Sequence, residues 1–484
     1  MKLNLAKLLL LSSSLCLLLL LPSCRDEEEI TPSLPNEDTL PVETRKVNQF
    51  IEEYVQDAYL WTATIDWTAI EPLKEPDSYA FFKKLMYKDD RWSLLTDNLK
   101  GLTEEVSGIS TTFGYRLIFG RFIDSDDRFA IVLYVYPGTP AEEAGLKRGD
   151  ILISINGGAI TEANMMELYD AASLLIGRGI LTDEGVAADP QWVYMEARNM
   201  YENPIVKDTV IVNNGHTIGY LCYTDYTAES EQQLQEVFAG FKSKNATDVV
   251  LDLRYNGGGF ARTSVLLSSI LAPQTAVRNK EIFLTQVWND AYTAQFAKEK
   301  RDVNEYFTDT LQVNMNLRRL FVLTTENTAS ASEATIVGLT PYMEVITIGD
   351  TTHGKYCGGA LLSPQIWNSS RNEWVVDEEI ENWGMYLMLY RFANRNGVSS
   401  FTGGLAPDVY AEEDYFMLYP FGDTRDPLLG EALAMITGLQ LHSSRSGVPS
   451  PQRYELTKAP QRRGIPDGKM IDTRPVPKRG TNNP

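Results

Sequence analysis

The chain has 484 residues, room for about three domains of ordinary size. Its 43% hydrophobic and 23% charged residues are the composition of a globular protein and exclude a disordered or fibrous one. A formal charge of −21 excludes nucleic acid as a partner, because binding phosphates requires a basic surface.

Residues 1–23 open with Lys2 and Lys7 around a short basic start, and Leu8 to Leu21 is almost unbroken apolar sequence. That length suits the core of a secretory signal and is short for a transmembrane helix of ~20 residues. The run ends in Leu21-Pro22-Ser23-Cys24, which resembles the bacterial lipoprotein box. The resemblance implies lipidation of Cys24 and a membrane anchor; the alternative is a simple signal with an incidental cysteine. The acidic run Asp26-Glu27-Glu28-Glu29 reads either as a solvated linker or, by resemblance, as the surface-export signal of Bacteroidetes lipoproteins. Residues 24–45, rich in Pro, Asn and Glu, are the expected tether. The implied location is the cell envelope, as an outer-membrane lipoprotein facing the periplasm or the exterior.

Residues 46–100 carry Val47, Phe50, Ile51, Tyr54, Ala58 and Trp61 at helical spacing, and Asp77 can cap a second helix with Tyr79, Phe82, Leu85 and Met86. Packing is the expected role of this helical unit. From about Ser107 the texture is β. Phe129–Val135 is a predicted strand, Thr139-Pro140 a predicted helix start with a threonine cap, and Asn156-Gly157 a tight turn after the strand Ile151–Ile155. The succession PGTPAEEAGLKRGDILISINGG, Pro137 to Gly158, resembles a PDZ domain, placed at residues 107–200. Such domains add an extended peptide to a sheet edge and hold its terminal carboxylate with backbone N–H groups. Phe113, Gly114 and Tyr115 lie where the carboxylate loop of that family falls, which makes them the implied peptide-binding residues.

Residues 205–440 form the third predicted unit. Ile218–Tyr223 reads as a strand, and Ala228–Lys242 as a helix with Leu234, Val237, Phe238 and Phe241 on one face. The strand Val249–Leu253 runs into Arg254-Tyr255-Asn256-Gly257-Gly258-Gly259, where successive glycines let backbone N–H groups approach a ligand closely. P-loop spacing and its Gly-Lys-Ser/Thr ending are absent, which excludes a phosphate loop. The helix Ala261–Leu271 follows. Leu320–Leu323 then feeds a turn of small residues, Thr324–Ala329, that delivers Ser330 to a helix start. Unpaired N–H groups and the helix dipole favour negative charge there. Ser330-Ala-Ser-Glu333 reads as a capping box; Ser330 is equally a candidate nucleophile, with Lys355 to take its proton. A last helix is predicted at Pro427–Thr437, and residues 441–484, without apolar periodicity, are expected to be disordered. Apart from Cys16 and Cys24 only Cys222 and Cys357 remain, and the histidines are His216, His353 and His442. No metal site and no Ser-His-Asp triad is expected from so few ligands.

The helical unit, the PDZ segment, LDLRYNGGG at Leu251–Gly259, TASASE at Thr328–Glu333 and Gly354-Lys355 together resemble the C-terminal processing peptidases, or tail-specific proteases, over roughly Val47 to Gly438. The resemblance implies a multidomain α+β fold: a small N-terminal helical unit, a PDZ β-sandwich-like domain and a ClpP/crotonase-like α/β protease core. It implies a serine peptidase without cofactors, with Ser330 as nucleophile, Lys355 as base and the N–H groups of Ala331 and Gly258 as oxyanion hole. Substrates would be proteins or peptides cut near flexible C-termini. A lysine at its usual pKa of ~10.4 cannot accept a proton at neutral pH, so Lys355 must be depressed by burial. Three positions depart from the pattern: Gly359 where many members carry a glutamine that orients the lysine, His353 where an aromatic residue is frequent, and Pro341 where some have an acid. Gly359 keeps open the alternative of a catalytically weak or inactive peptide-binding lipoprotein on the same fold. A tricorn-like peptidase with a histidine base has only His216 to offer upstream.

Overall fold

The helix Val42–Ala58 buries Val47, Phe50, Ile51, Tyr54, Val55 and Ala58, the stripe that its spacing predicts. In this computed structural model, which describes residues 40–123, 127–182, 185–439, 454–457 and 468–476, the helix begins within the stretch expected to be tether. Cys24, the leader before it and His442 lie outside the described residues. Asp77 caps the helix Ser78–Leu85 by accepting the N–H groups of Tyr79 at 2.9 Å and Ala80 at 3.2 Å. This unit does not close a core of its own. Phe81, Trp92 and Leu95 share one buried cluster with Tyr386, Met388 and Tyr390, and Leu94–Thr96 pairs with the strand Gly384–Asn394.

The PDZ unit is an antiparallel sheet of Tyr115–Phe122, Arg128–Val135, Ile151–Ile155, Ser173–Thr182 and Gly185–Glu196. Alternate residues of its strands, among them Phe119, Val132, Leu152 and Ile176, fill one core. Thr139 stands at the helix start, but its hydroxyl donates back to Tyr136 O at 2.7 Å instead of capping the helix as expected.

Among the described residues the third unit has two large sheets and a two-stranded ribbon, Gln365–Asn368 with Glu373–Val376. In the first, His216–Tyr223, Asp248–Asp252, Arg319–Thr324, Glu344–Gly349 and Val409–Tyr410 run parallel, with Ile205–Asn213 antiparallel at the edge. The second contains Gly258–Phe260, Cys357–Leu362, Gly384–Asn394 and Ile282–Trp288. The helix Ala331–Leu339 is buried at every residue and touches strands of both sheets, as an apolar helix without a polar face must. The helix expected from Ala228 starts at Glu231, because Ser230 Oγ bonds to Thr227 O and Tyr223 OH and holds a turn ahead of it.

The C-terminal tail departs from expectation. Tyr454–Thr457 adds antiparallel to Tyr115–Phe122, and Lys469–Ile471 lies between Gly258–Phe260 and Cys357–Leu362, parallel to both. Met470 and Ile471 are each only 2% exposed. A lone apolar pair inside a Pro-, Gly- and basic-rich stretch carries no periodicity, so sequence pattern could not mark it as a strand.

Candidate active site

Asp248–Asp252 and Arg319–Thr324 are parallel neighbours, so the loops leaving their carboxyl ends emerge side by side, where open α/β sheets form their sites. Those loops are tied together. Ala329 N–H donates to Asn256 O at 3.0 Å, Thr328 Oγ1 to Leu253 O at 2.8 Å and Ser332 Oγ to Asn256 O at 3.1 Å. Ser330 sits at the end of the second loop with φ +60° and ψ −107°, an unusual conformation for a residue with a side chain. It is fully buried, and among the described residues its Oγ has no hydrogen-bond partner. Ser330 and Glu333 occupy capping-box positions, with Ser330 N–H donating to Glu333 Oε2 at 2.7 Å. A buried hydroxyl left unpaired costs stability and calls for a functional reason.

Glu333 does more than the capping role anticipated for it. Its carboxylate also accepts Lys355 N–H at 2.9 Å, Gly354 N–H at 2.7 Å and Thr352 Oγ1 at 2.6 Å. One oxygen, Oε2, therefore holds the backbone N–H groups of both Ser330 and Lys355. Burial pushes the Glu333 carboxyl up to about 7, against the pull of these donors.

Lys355 is fully buried, and its Nζ donates to Gly468 O at 2.8 Å and Tyr386 OH at 3.1 Å. The ring centroids of Trp92 and Tyr386 lie 5.4 and 5.0 Å from the nitrogen. No carboxylate is among the described partners of Nζ, and burial pushes the amine down to about 8. Trp92 comes from the N-terminal helical unit, for which sequence suggested packing alone. Tyr386 lies in the apolar strand Gly384–Asn394, where its hydroxyl gave no sequence signal.

The structure brings Gly258 beside Ser330: a Cβ on Gly258 would be 3.0 Å from that of Ser330. Its N–H does not face an open site as expected, because it donates to Asn256 Oδ1 at 2.8 Å. Ala331, the other expected donor, is buried as the first residue of the helix. In the PDZ loop Phe113 and Tyr115 are buried and stacked at 5.9 Å, and Gly114 N–H donates to Thr112 Oγ1 at 2.8 Å. The two rings belong to the PDZ core, so what this loop and the edge Tyr115–Phe122 offer a peptide is backbone. His353 N–H donates to Thr328 O at 3.0 Å, while His216 lies near Asp248 at the far end of its strand from the glycine run. Cys222 and Cys357 are both buried and free. Among the described residues no cluster of side chains could hold a metal ion, and no helix is long and apolar enough to cross a membrane.

A buried ionic cluster supports the glycine run from behind. Arg254 binds Asp252 through Nε at 2.9 Å, Asp426 through Nη1 at 2.8 Å and Nη2 at 3.0 Å, and Glu413 through Nη1 at 2.8 Å. Arg148 of the PDZ unit also pairs with Glu413. Burial alone would raise Glu413, but the two guanidinium groups hold it down, to about 2.

Residues 217–411 match peptidase family S41, residues 46–94 match the peptidase S41 N-terminal domain, and residues 131–179 match a PDZ domain. The chain belongs to peptidase family S41. A crystal structure described as an S41 protease from Bacteroides fragilis shares 26% identity and a TM-score of 0.68, covering 81% of this chain and 98% of that one. The chloroplastic carboxyl-terminal-processing peptidase 2 of Arabidopsis thaliana is 24% identical over 297 residues, 59% of this chain and 54% of its own. The carboxy-terminal processing protease CtpA of Bacillus subtilis is 24% identical over 278 residues, 54% of each. The chain spans little more than half the length of these two curated relatives. The multidomain architecture of N-terminal unit, PDZ domain and S41 core is the one expected from the sequence, and S41 is a family of serine-type peptidases.

In this S41 chain Gly359 leaves no room for the glutamine of other members. A Cβ there would stand 2.2 Å from Leu387 O. Tyr386 OH lies beside the lysine amine. Gly359→Gln is therefore expected to lower stability by ~1–3 kcal/mol through overpacking, without a gain in turnover. Thermal unfolding and peptide hydrolysis of the purified variant measure the two effects.

Proposed function

We propose that this protein is a serine endopeptidase that cuts proteins or peptides near flexible C-termini, with Ser330 as nucleophile and Lys355 as general base. The observation that carries the reading is the state of Lys355: a buried amine, depressed to about 8, without a carboxylate among its described partners and anchored through Glu333 to a serine whose hydroxyl is unpaired. A neutral Lys355 amine takes the Ser330 proton as Oγ attacks the scissile carbonyl carbon. The resulting oxyanion is received by Ala331 N–H and by Gly258 N–H once the latter leaves Asn256. Lys355 then returns the proton to the departing amine, an ester to Ser330 remains, and water activated by the same lysine hydrolyses it. No cofactor enters these steps. Glu333 and Tyr386 are positioning residues for the serine and the lysine. The edge Tyr115–Phe122 would receive the substrate's tail as an added strand.

The leader sequence supports a lipid anchor at Cys24 and a place in the outer membrane, facing the periplasm or the exterior. Incorporation of labelled palmitate, lost in Cys24→Ser, is the expected result. A binding lipoprotein without turnover is less favoured, since both members of the pair are retained.

The sign of the pH dependence follows from the base. Lys355 acts only when neutral, so kcat/KM should fall about tenfold per pH unit below about 8 and level off above it. Initial rates on a peptide substrate between pH 6 and 9.5 test this; a profile flat through about 8 contradicts it.

A further inference from the structure

We infer that the chain's own C-terminal segment is a pseudosubstrate that occupies both peptide-binding edges and holds the active site closed. The inference rests on the reading of Ser330 and Lys355 given above.

Lys469–Ile471 fills the slot between the glycine run and the strand that follows the lysine. Lys469 N–H donates to Gly257 O at 2.6 Å, Lys469 is in register with Gly258, and Asp472 N–H donates to Gly359 O at 2.8 Å. Gly468, at the start of the segment, lies on Lys355 and against Ala329, the residue before Ser330. Its carbonyl accepts Lys355 Nζ at 2.8 Å, and a Cβ on it would be 3.0 Å from Lys355 Cδ and 3.4 Å from Ala329 Cβ. A substrate must bring its carbonyl within ~3–3.5 Å of Ser330 Oγ, against the same glycine run. Tail and substrate therefore compete for one slot. The occupied state is also a disarmed one: Gly258 N–H is turned to Asn256, and the amine is hydrogen-bonded to the tail carbonyl and Tyr386. An oxyanion would find one expected donor already engaged, so the segment is held in place instead of being cut.

The PDZ edge is taken by the same tail. Tyr454 pairs with Phe122 and Thr457 with Phe119, so the tail runs towards the Phe113–Tyr115 loop. That is the direction in which a peptide added to a PDZ edge presents its C-terminus. The Tyr454 ring packs 4.7 Å from Phe416 and 6.1 Å from Phe129, and Arg121 Nε meets Glu455 Oε1 at 2.5 Å. Two weak attachments on one chain hold far more firmly than either alone, because each raises the local concentration of the other to the millimolar range. At the catalytic end the anchors are the buried Met470 and Ile471 and the ion pair of Lys469 Nζ with Asp225 Oδ2 at 2.9 Å.

The test uses the full chain and a fluorophosphonate probe, with the adduct on Ser330 followed by intact-mass and peptide mapping. Gly468→Val places a branched side chain against Lys355 at a residue whose φ is +94°, and Lys469→Glu sets like charge against Asp225. Both variants should label at least ~10-fold faster than the parent. A synthetic peptide of residues 468–476, added at millimolar concentration, should slow them again. If Gly468→Val does not fold, Lys469→Glu decides, since its side chain is partly exposed and leaves Met470 and Ile471 buried. Labelling of a folded Lys469→Glu at or below the parent's rate overturns the pseudosubstrate while leaving Ser330 as nucleophile. Absence of any Ser330 adduct in parent and variants overturns the nucleophile reading, and the inference with it.

Discussion

Ser330→Ala is expected to reduce turnover of a peptide or an unstructured protein tail by roughly 10⁴- to 10⁶-fold, and Lys355→Met by a comparable factor. Nucleophile and base act as one unit, so the double variant should be little worse than either single one. The stability result separates loss of chemistry from loss of fold. Ser330 Oγ is buried with no hydrogen-bond partner among the described residues, so its removal deletes an unsatisfied polar group and breaks none of the bonds described. Thermal unfolding of Ser330→Ala should match or exceed that of the parent. Rates and melting curves on the same preparations check both halves.

Arg254→Met is expected to be the most damaging single change to stability, by ~3–5 kcal/mol. It leaves Asp252, Glu413 and Asp426 buried, with Arg148 as the remaining guanidinium of the cluster. The comparison is Lys46→Met, which breaks a partly exposed pair with Asp377 and should cost no more than ~1 kcal/mol. The same cluster sets an acid limit. Glu413 is depressed in the folded chain, so its contribution is present above the ordinary glutamate pKa and is lost as pH falls towards about 2. Because Arg254 immediately precedes Tyr255–Gly259, activity should fall with stability in this variant. Chemical denaturation at neutral pH gives the free-energy difference.

Ser330 and Lys355 were legible as a candidate pair because each sits in a short motif with small neighbours, and an apolar run, Leu320–Leu323, leads to the serine; the helix after it is apolar on every side and has no period to read. Glu333 was legible only as a cap. Its second set of donors, Thr352, Gly354 and Lys355, comes from a loop whose return to the helix start no local pattern encodes. Trp92 and Tyr386 read as packing residues because an aromatic in an apolar stretch has the same sequence signature whether or not an amine rests against it. The partners of Arg254 had no signal for a related reason: Glu413 and Asp426 are acidic residues in loops far along the chain. The orientation of Gly258 N–H escaped prediction too, since glycine permits either setting of its peptide and the choice is made by Asn256 Oδ1. The tail was misread because two apolar residues, Met470 and Ile471, complete cores built by other segments.

Covalent labelling of Ser330 as a function of pH tests the central claim most directly. In the full chain the fluorophosphonate adduct should form at Ser330 alone, with a rate that rises about tenfold per pH unit and levels off above about 8. Lys355→Met should label slowly and without that rise. An adduct on another residue, or the same rising profile in Lys355→Met, would contradict Ser330 as nucleophile and Lys355 as its base.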